Sequence, residues 1–182
     1  MIGAFKGADA GTGCISQAAG SAKELLMTMS PSLANEVADR LAVVDTLYRF
    51  AAGIDLRDKN LLSSALAENA ISDFRPAAAK AGFEYPVIEG RDYIVAALTA
   101  SLATLDTTHS VTNPRVTIDG DTARLDVLVE AQHVPRQDPT RHYLMKNRYD
   151  VELKRSDDVW VITRTTVDNV WRSGDPAVLS VV

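Results

Sequence analysis

The chain changes its hydrophobic period partway along, and that change limits what it can fold into. In "ARLDVLVEAQHV", Ala123, Leu125, Val127, Val129, Ala131 and His133 share one parity. In "HYLMKNRYDVELKR", Tyr143, Met145, Asn147, Tyr149, Val151 and Leu153 do the same. Period two marks half-buried strands. "IDGDT" joins two long runs, with Asp119-Gly120 as a type I′ hairpin signal. "SDD" turns the chain into "VWVITRTTVDNVW", and "AISDF" reads as a short strand further upstream.

Before these strands the period is helical. In "SPSLANEVADRLAVVDTLYRFAAGIDLRD", residues Leu33, Val37, Leu41, Val44, Tyr48, Ala51 and Asp55 fall three or four apart, which predicts one buried helix face. Ser30 or Ser32 caps this helix and Pro31 suits its first turn. A second helix is predicted from about Asp58 to Ala67, with Asp58 as its N-cap. "GRDYIVAALTASLATL" predicts a third, with Tyr93, Ile94, Ala97, Leu98, Ser101 and Leu102 toward the core. Helices first and strands afterwards predict an α+β fold with a mostly antiparallel sheet, not a parallel α/β sheet.

The 182 residues suit one domain plus tails. Residues 1–28 are small and aperiodic and read as a flexible N-terminal tail, with Met27 or Met29 as alternative starts. Residues 29–172 form the expected single domain. Residues 173–182 form a C-terminal tail that, with Trp171, is placed to close a pocket as a lid. The chain is 46% hydrophobic and 24% charged with a net charge of −5, and has no Lys/Arg cluster, which argues against nucleic acid as a partner. The single cysteine, Cys14, can form neither an internal disulfide nor a cysteine zinc site, and this agrees with a cytoplasmic location. No apolar run approaches the ~18 residues of a membrane helix, so no membrane partner is expected. "GADAGTG" lacks the preceding strand of a dinucleotide fingerprint.

The histidines are three in number. His133 is in phase with the buried face of its strand. His109, in "TTHSVTN", shares parity with Val111, although Pro114 can bulge that strand. His142 falls on the wet face. A lone inward histidine is most often a core residue with one hydrogen bond. Two of them, together with Asp55, Asn147 and Tyr149, are too many polar groups for a dry core. Each costs roughly 1–3 kcal/mol to bury unpaired, so a hydrated ligand cavity is expected. Asp55, His109 and His133 also form a candidate two-histidine, one-carboxylate metal set, but nothing in their spacing favours it.

The segments "YRFAAGIDLRDKNLLSSALAENAISDF", "HSVTN", "DGDTARLDVLVEAQH" and "RYDVELKRSDDVWVI", in that order, resemble the SnoaL-like branch of the nuclear transport factor 2-like superfamily. The resemblance implies a cone in which helices and a curved antiparallel sheet enclose a pocket. Its closest functional likeness is to the scytalone dehydratase and hexachlorocyclohexane dehydrochlorinase branch. That likeness implies Asp55 and His109 as a catalytic pair, with His133 as a second catalytic histidine that holds water or donates to a leaving oxygen. It also implies Asn147 and Tyr149 in substrate binding. Ile54 and Phe74 stand where the dehydratase has tyrosines, so two phenols are missing. Phe74, with Tyr48 and Trp171, completes the expected substrate-binding set. The implied function is a cofactor-independent dehydratase acting on a small hydrophobic hydroxy-ketone or polyketide-like molecule. The alternatives are an isomerase, a polyketide cyclase, or a non-catalytic subunit like the small subunit of ring-hydroxylating dioxygenases. A homodimer or homotrimer is expected.

Overall fold

The structure, a computed structural model, describes residues 30–180. The tail 1–28, Cys14 and the alternative starts Met27 and Met29 lie outside the described residues. Helix α1, Pro31–Asp55, crosses from one compact unit, which ends at Ala38, into a second that begins at Asp39. In the first unit, the Leu33 N–H donates to Ser30 Oγ at 3.2 Å, so Ser30 is the cap. Every residue of the site discussed below belongs to the second unit.

After α1 come α2 (Lys59–Ser64), β1 (Leu66–Asp73), α3 (Arg75–Ala81), β2 (Ile88–Glu89), α4 (Arg91–Ser101), β3 (Leu105–Asp119), β4 (Thr122–Pro135), β5 (Tyr143–Ser156) and β6 (Val159–Gly174). A 3-10 turn, Pro176–Ser180, follows. The strands form one curved, unclosed sheet of six in the order β2-β1-β6-β5-β4-β3. All its pairings are antiparallel except β1 with β6. Among the described residues no helix is long and apolar enough to cross a membrane.

The buried face of α1 is not the predicted one. Of the predicted seam Ala51 is buried, but Leu33, Val37, Leu41 and Tyr48 are exposed, and Val43, Leu47, Phe50 and Ile54 are buried instead. Two seams of three-and-four spacing run along this helix about 100° apart. The one ending in Phe50 and Ile54 meets the sheet residues Leu125, Val151 and Ile162 in a single core. Each such fully buried side chain contributes roughly 1.5–3 kcal/mol. In α4, Ile94 and Leu98 point inward as expected, but Tyr93 is 74% exposed. Helix α3 was not anticipated, although "RPAAAKAG" carries its signals: a proline in the first turn, an alanine run, and Gly82 in the left-handed region at φ 87° just past the end.

The end of α1 is tightly built. The Asp58 N–H donates to Gly53 O at 2.9 Å and the Arg57 N–H to Ile54 O at 3.1 Å. This is a Schellman closure with Arg57 in the left-handed region at φ 56°. Asp58 then caps α2, accepting from the backbone N–H groups of Asn60 and Leu61 at 3.0 Å each. Helix α2 lies so close that a Cβ on Gly53 would come within 2.5 Å of Leu62 N. We expect Asp58→Ala to cost about 0.5–2 kcal/mol, measured as a lower urea midpoint at unchanged m-value.

The hairpin turn and two of the strand irregularities bear on the site; further register shifts lie between Leu66 and Ile71 and at Thr163. The β3–β4 hairpin has Gly120 and Asp121 at its tip, because Asp119 pairs with Thr122. Of the two only Gly120 has a positive φ, 56°, so the turn follows the II′ pattern, not I′. Strand β3 is bulged between Thr112 and Arg115, where Asn113 sits at φ 56° before Pro114. Strand β6 is bulged at Val170, since Asn147 pairs with Asn169 while Lys146 pairs with Trp171.

Candidate active site

The inner side of the sheet, with α3 and α4, encloses a cavity of about 370 Å³. Its wall is mostly apolar: Ile54, Phe74, Ala77, Ala78, Phe83, Leu98, Leu102, Ala131, Met145 and Leu179. The polar groups are His109, His133, Asn147, Tyr149, Tyr85, Glu84 and Ser101. Phe74 meets Tyr85 edge to face at 5.8 Å between centroids and Tyr149 at 6.5 Å.

Asp55 occupies the last turn of α1. A carboxylate there faces the negative end of the helix dipole, so it needs donors. Three serve it: His109 Nδ1 lies 2.6 Å from Oδ1, the Thr107 hydroxyl donates to Oδ1 at 2.9 Å, and the His109 backbone N–H donates to Oδ2 at 2.7 Å. Burial pushes the carboxyl up, but the His109 ring, Thr107 and the His109 N–H outweigh it and hold Asp55 below the ordinary aspartate value. The carboxylate lies behind the histidine and is not part of the cavity wall. With Nδ1 committed to Asp55, Nε2 is the ring nitrogen left for a ligand.

His133 is 4% exposed. It sits on β4 opposite Thr107, one diagonal step from His109, and the two imidazoles meet edge to face at 6.1 Å. Its Nδ1 faces Tyr143 O at 3.3 Å. A carbonyl only accepts, so Nδ1 carries the hydrogen and Nε2 is an acceptor. Burial, reinforced by the His109 ring, lowers its pKa to about 4. His133 is therefore neutral near pH 7 and suited to accept a hydrogen bond, which narrows the expectation that it donates to a leaving oxygen. Tyr149 is 3% exposed. Burial, then the Asp55 charge, push its phenol up, so it keeps its proton.

Two of the expected substrate contacts are not at the cavity. Tyr48 is 48% exposed and lies one helical step, about 100°, off the buried seam of α1. Trp171 is also 48% exposed, because the bulge at Val170 reverses the alternation of β6. Leu179 of the 3-10 turn reaches the cavity instead, and its neighbour Val178 is buried against Leu105 and Tyr143. Sequence reasoning missed Thr107, Asn169, Glu84 and Tyr85. Thr107 carried the one usable signal, since it shares parity with His109. Among the described residues no group of three His, Cys, Asp or Glu is arranged to hold a metal, so Asp55, His109 and His133 do not form that set.

Residues 35–166 match the model of the SnoaL-like domain. The chain belongs to the SnoaL-like family. A curated relative, the terrestric acid biosynthesis cluster protein E of Penicillium crustosum, is 31% identical over 165 residues, spanning 87% of this chain and 97% of that one. Among solved structures, a protein assigned as an aromatic ring hydroxylase from Novosphingobium aromaticivorans is 26% identical, with a TM-score of 0.68 over 79% of this chain and 97% of its own. The hexachlorocyclohexane dehydrochlorinase LinA-type3 of Novosphingobium barchaimii is 18% identical, with a TM-score of 0.64 over 77% of this chain and 92% of its own, and shows the shared fold. The SnoaL-like fold is thus the α+β, nuclear transport factor 2-like cone that the sequence implied.

Proposed function

We propose that this SnoaL-like chain is a lyase-type enzyme, a dehydratase for a small hydrophobic hydroxy-ketone or polyketide-like substrate. The observation that carries this reading is the Asp55–His109 pair, 2.6 Å apart, with its histidine in the wall of an apolar cavity. His109 Nε2 takes the proton from the carbon beside the ketone, and the C–H electrons form an enolate. Asp55 holds the ring in the required tautomer and stabilises the imidazolium. As the enolate collapses, the C–O bond to the β-hydroxyl breaks. The hydroxyl leaves as water with the proton returned from His109, so atoms and charge balance without an oxidant or reductant. His133 accepts a hydrogen bond from the substrate hydroxyl or a water. Phe74 and Tyr149 pack on the substrate.

The relative named for a biosynthesis cluster and the dehydrochlorinase of the same fold support a small-molecule-converting enzyme. An isomerase or polyketide cyclase would use the same base and differ in what the enolate does next. A second reading is a non-catalytic subunit, like the small subunit of ring-hydroxylating dioxygenases, and the neighbour at 26% identity carries the name of an aromatic ring hydroxylase. A homodimer or homotrimer is proposed, and light scattering measures it.

The test is a panel of aromatic and alicyclic β-hydroxy-ketones, followed by the absorbance of the conjugated enone and by mass loss of water. Asp55→Asn should turn over the best substrate up to about 10⁴-fold more slowly, because the amide neither holds the ring tautomer nor stabilises the imidazolium as a carboxylate does. Its melting temperature should fall, since the amide NH2 would face a donor, either the His109 backbone N–H or the Thr107 and His109 side chains, where the carboxylate accepts from all three. A panel with no turnover, or an Asp55→Asn variant as fast as wild type, would count against the lyase.

A further inference from the structure

We propose that Asn169 is a positioning residue that locks the Asn147 amide with its NH2 toward the cavity, so that the pocket selects a ligand presenting a carbonyl oxygen or enolate at strand β5. This deepens the lyase reading and rests on it for the identity of that oxygen.

The orientation follows from hydrogen-bond chemistry alone. Asn169 is 3% exposed. Its Nδ2 faces three oxygens: Trp171 O at 3.0 Å, Lys146 O at 3.4 Å and Asn147 Oδ1 at 2.9 Å. Two of these are backbone carbonyls, which only accept, so the Asn169 amide cannot be turned round. Its own Oδ1 takes a hydrogen bond from Arg172 Nη1 at 3.4 Å, in agreement. The Asn147 atom facing that NH2 must then be its oxygen. Asn147 Nδ2 is left over. Asn147 is 1% exposed and lines the cavity, and its side-chain hydrogen bond within the protein is made by Oδ1. A buried NH2 without a partner is costly, and the open side available to it is the cavity.

The bulge at Val170 makes this possible. Asn147 and Asn169 are directly opposed in the β5–β6 ladder, while the extra residue brings the Trp171 carbonyl beside Lys146 O around one amide. The pocket then has a fixed polarity. His133 Nε2 accepts, Asn147 NH2 donates, and Phe74, Tyr85 and Tyr149 line the same cavity. A flat molecule with a ketone facing β5 fits this pattern better than the matching hydrocarbon.

Three probes of one shape test it: 1-tetralone, 1-tetralol and tetralin, titrated calorimetrically into the full chain and followed on the side-chain amide signals of 15N-labelled protein. Wild type should bind the ketone about three- to tenfold tighter than tetralin, the range one hydrogen bond supplies, and the ketone should shift the Asn147 NH2 signals. Asn169→Ala frees the Asn147 amide and should bring the ketone-to-tetralin ratio near one while tetralin affinity holds. Asn147→Leu should likewise bring the ketone-to-tetralin ratio near one, with no polar group to reorient and with only the ratio read, which keeps the test informative if Asn169→Ala folds poorly. Tetralin binding with no preference for the ketone, or a preference unchanged in both variants, would overturn the amide lock and leave the lyase reading standing. Failure of all three probes to bind would overturn both.

Discussion

Replacing His109 by alanine is expected to lower turnover about 10²–10⁴-fold, the usual contribution of a positioned general base, while the protein still folds. Retention of the fold follows from how Asp55 is served. The variant loses the imidazole donor but keeps the Thr107 hydroxyl at 2.9 Å and the backbone N–H of residue 109 at 2.7 Å, so the carboxylate is not stranded. The ring removed faces the cavity, and water can occupy its place. Rates should be read at saturating substrate, because the lost interaction belongs to the transition state and should appear in kcat. Circular dichroism and the melting temperature report the fold. A variant with wild-type kcat would remove His109 as the base and bring the non-catalytic subunit forward.

The second large effect is on stability in acid. In the unfolded chain His133 titrates near 6.5, and in the fold its value falls to about 4, chiefly through burial and then through the neighbouring His109 ring. Between these values the unfolded state binds the proton and the native state does not. Stability is therefore lost as pH drops from about 6.5 to about 4, and the loss from this group levels off below that. The shift corresponds to about 3 kcal/mol in total. Asp55 acts in a different window. Its value is lowered in the fold, so its contribution is present above the unfolded 3.8 and is lost only below it. Urea unfolding at half-unit steps from pH 7 to 4 checks this. Wild type should weaken progressively, and His133→Gln should remove most of the slope. Equal slopes in the two proteins would mean that His133 is not buried as a neutral ring.

How much was legible depends on where the strands are regular. Strand β4 pairs with β5 without a break from Thr122 to His133, so counting by two placed His133 inside correctly. The same counting placed Asn147 and Tyr149. His109 was harder, because Asn113 takes a left-handed turn between it and the hairpin and the parity does not carry through. Its meeting with Asp55 came from the family resemblance, since no spacing links a helix end to a strand 54 residues away. The misjudged face of α1 has a simple cause: Leu33, Val37, Leu41, Val44, Tyr48 and Ala51 make a longer seam than Val43, Leu47, Phe50 and Ile54, and only the sheet decides between them. Trp171 failed for want of any local sign of a bulge, as neither glycine nor proline marks Val170. Thr107 and Asn169 are ordinary strand residues until their partners arrive from elsewhere.

The extra residue at Val170 also acts as a change of reading frame within one strand. Counted by strict alternation from Asn169, position 171 would face inward, and an indole would project toward the space that a ligand needs. With the insertion, Trp171 pairs with Lys146 and turns out beside Val170, and both side chains are about half exposed. The difference between a hollow interior and a plugged one thus lies in a single backbone position. A lineage of such domains could lose its chamber by one codon deletion, with Asp55 on α1 and His109 on β3 untouched.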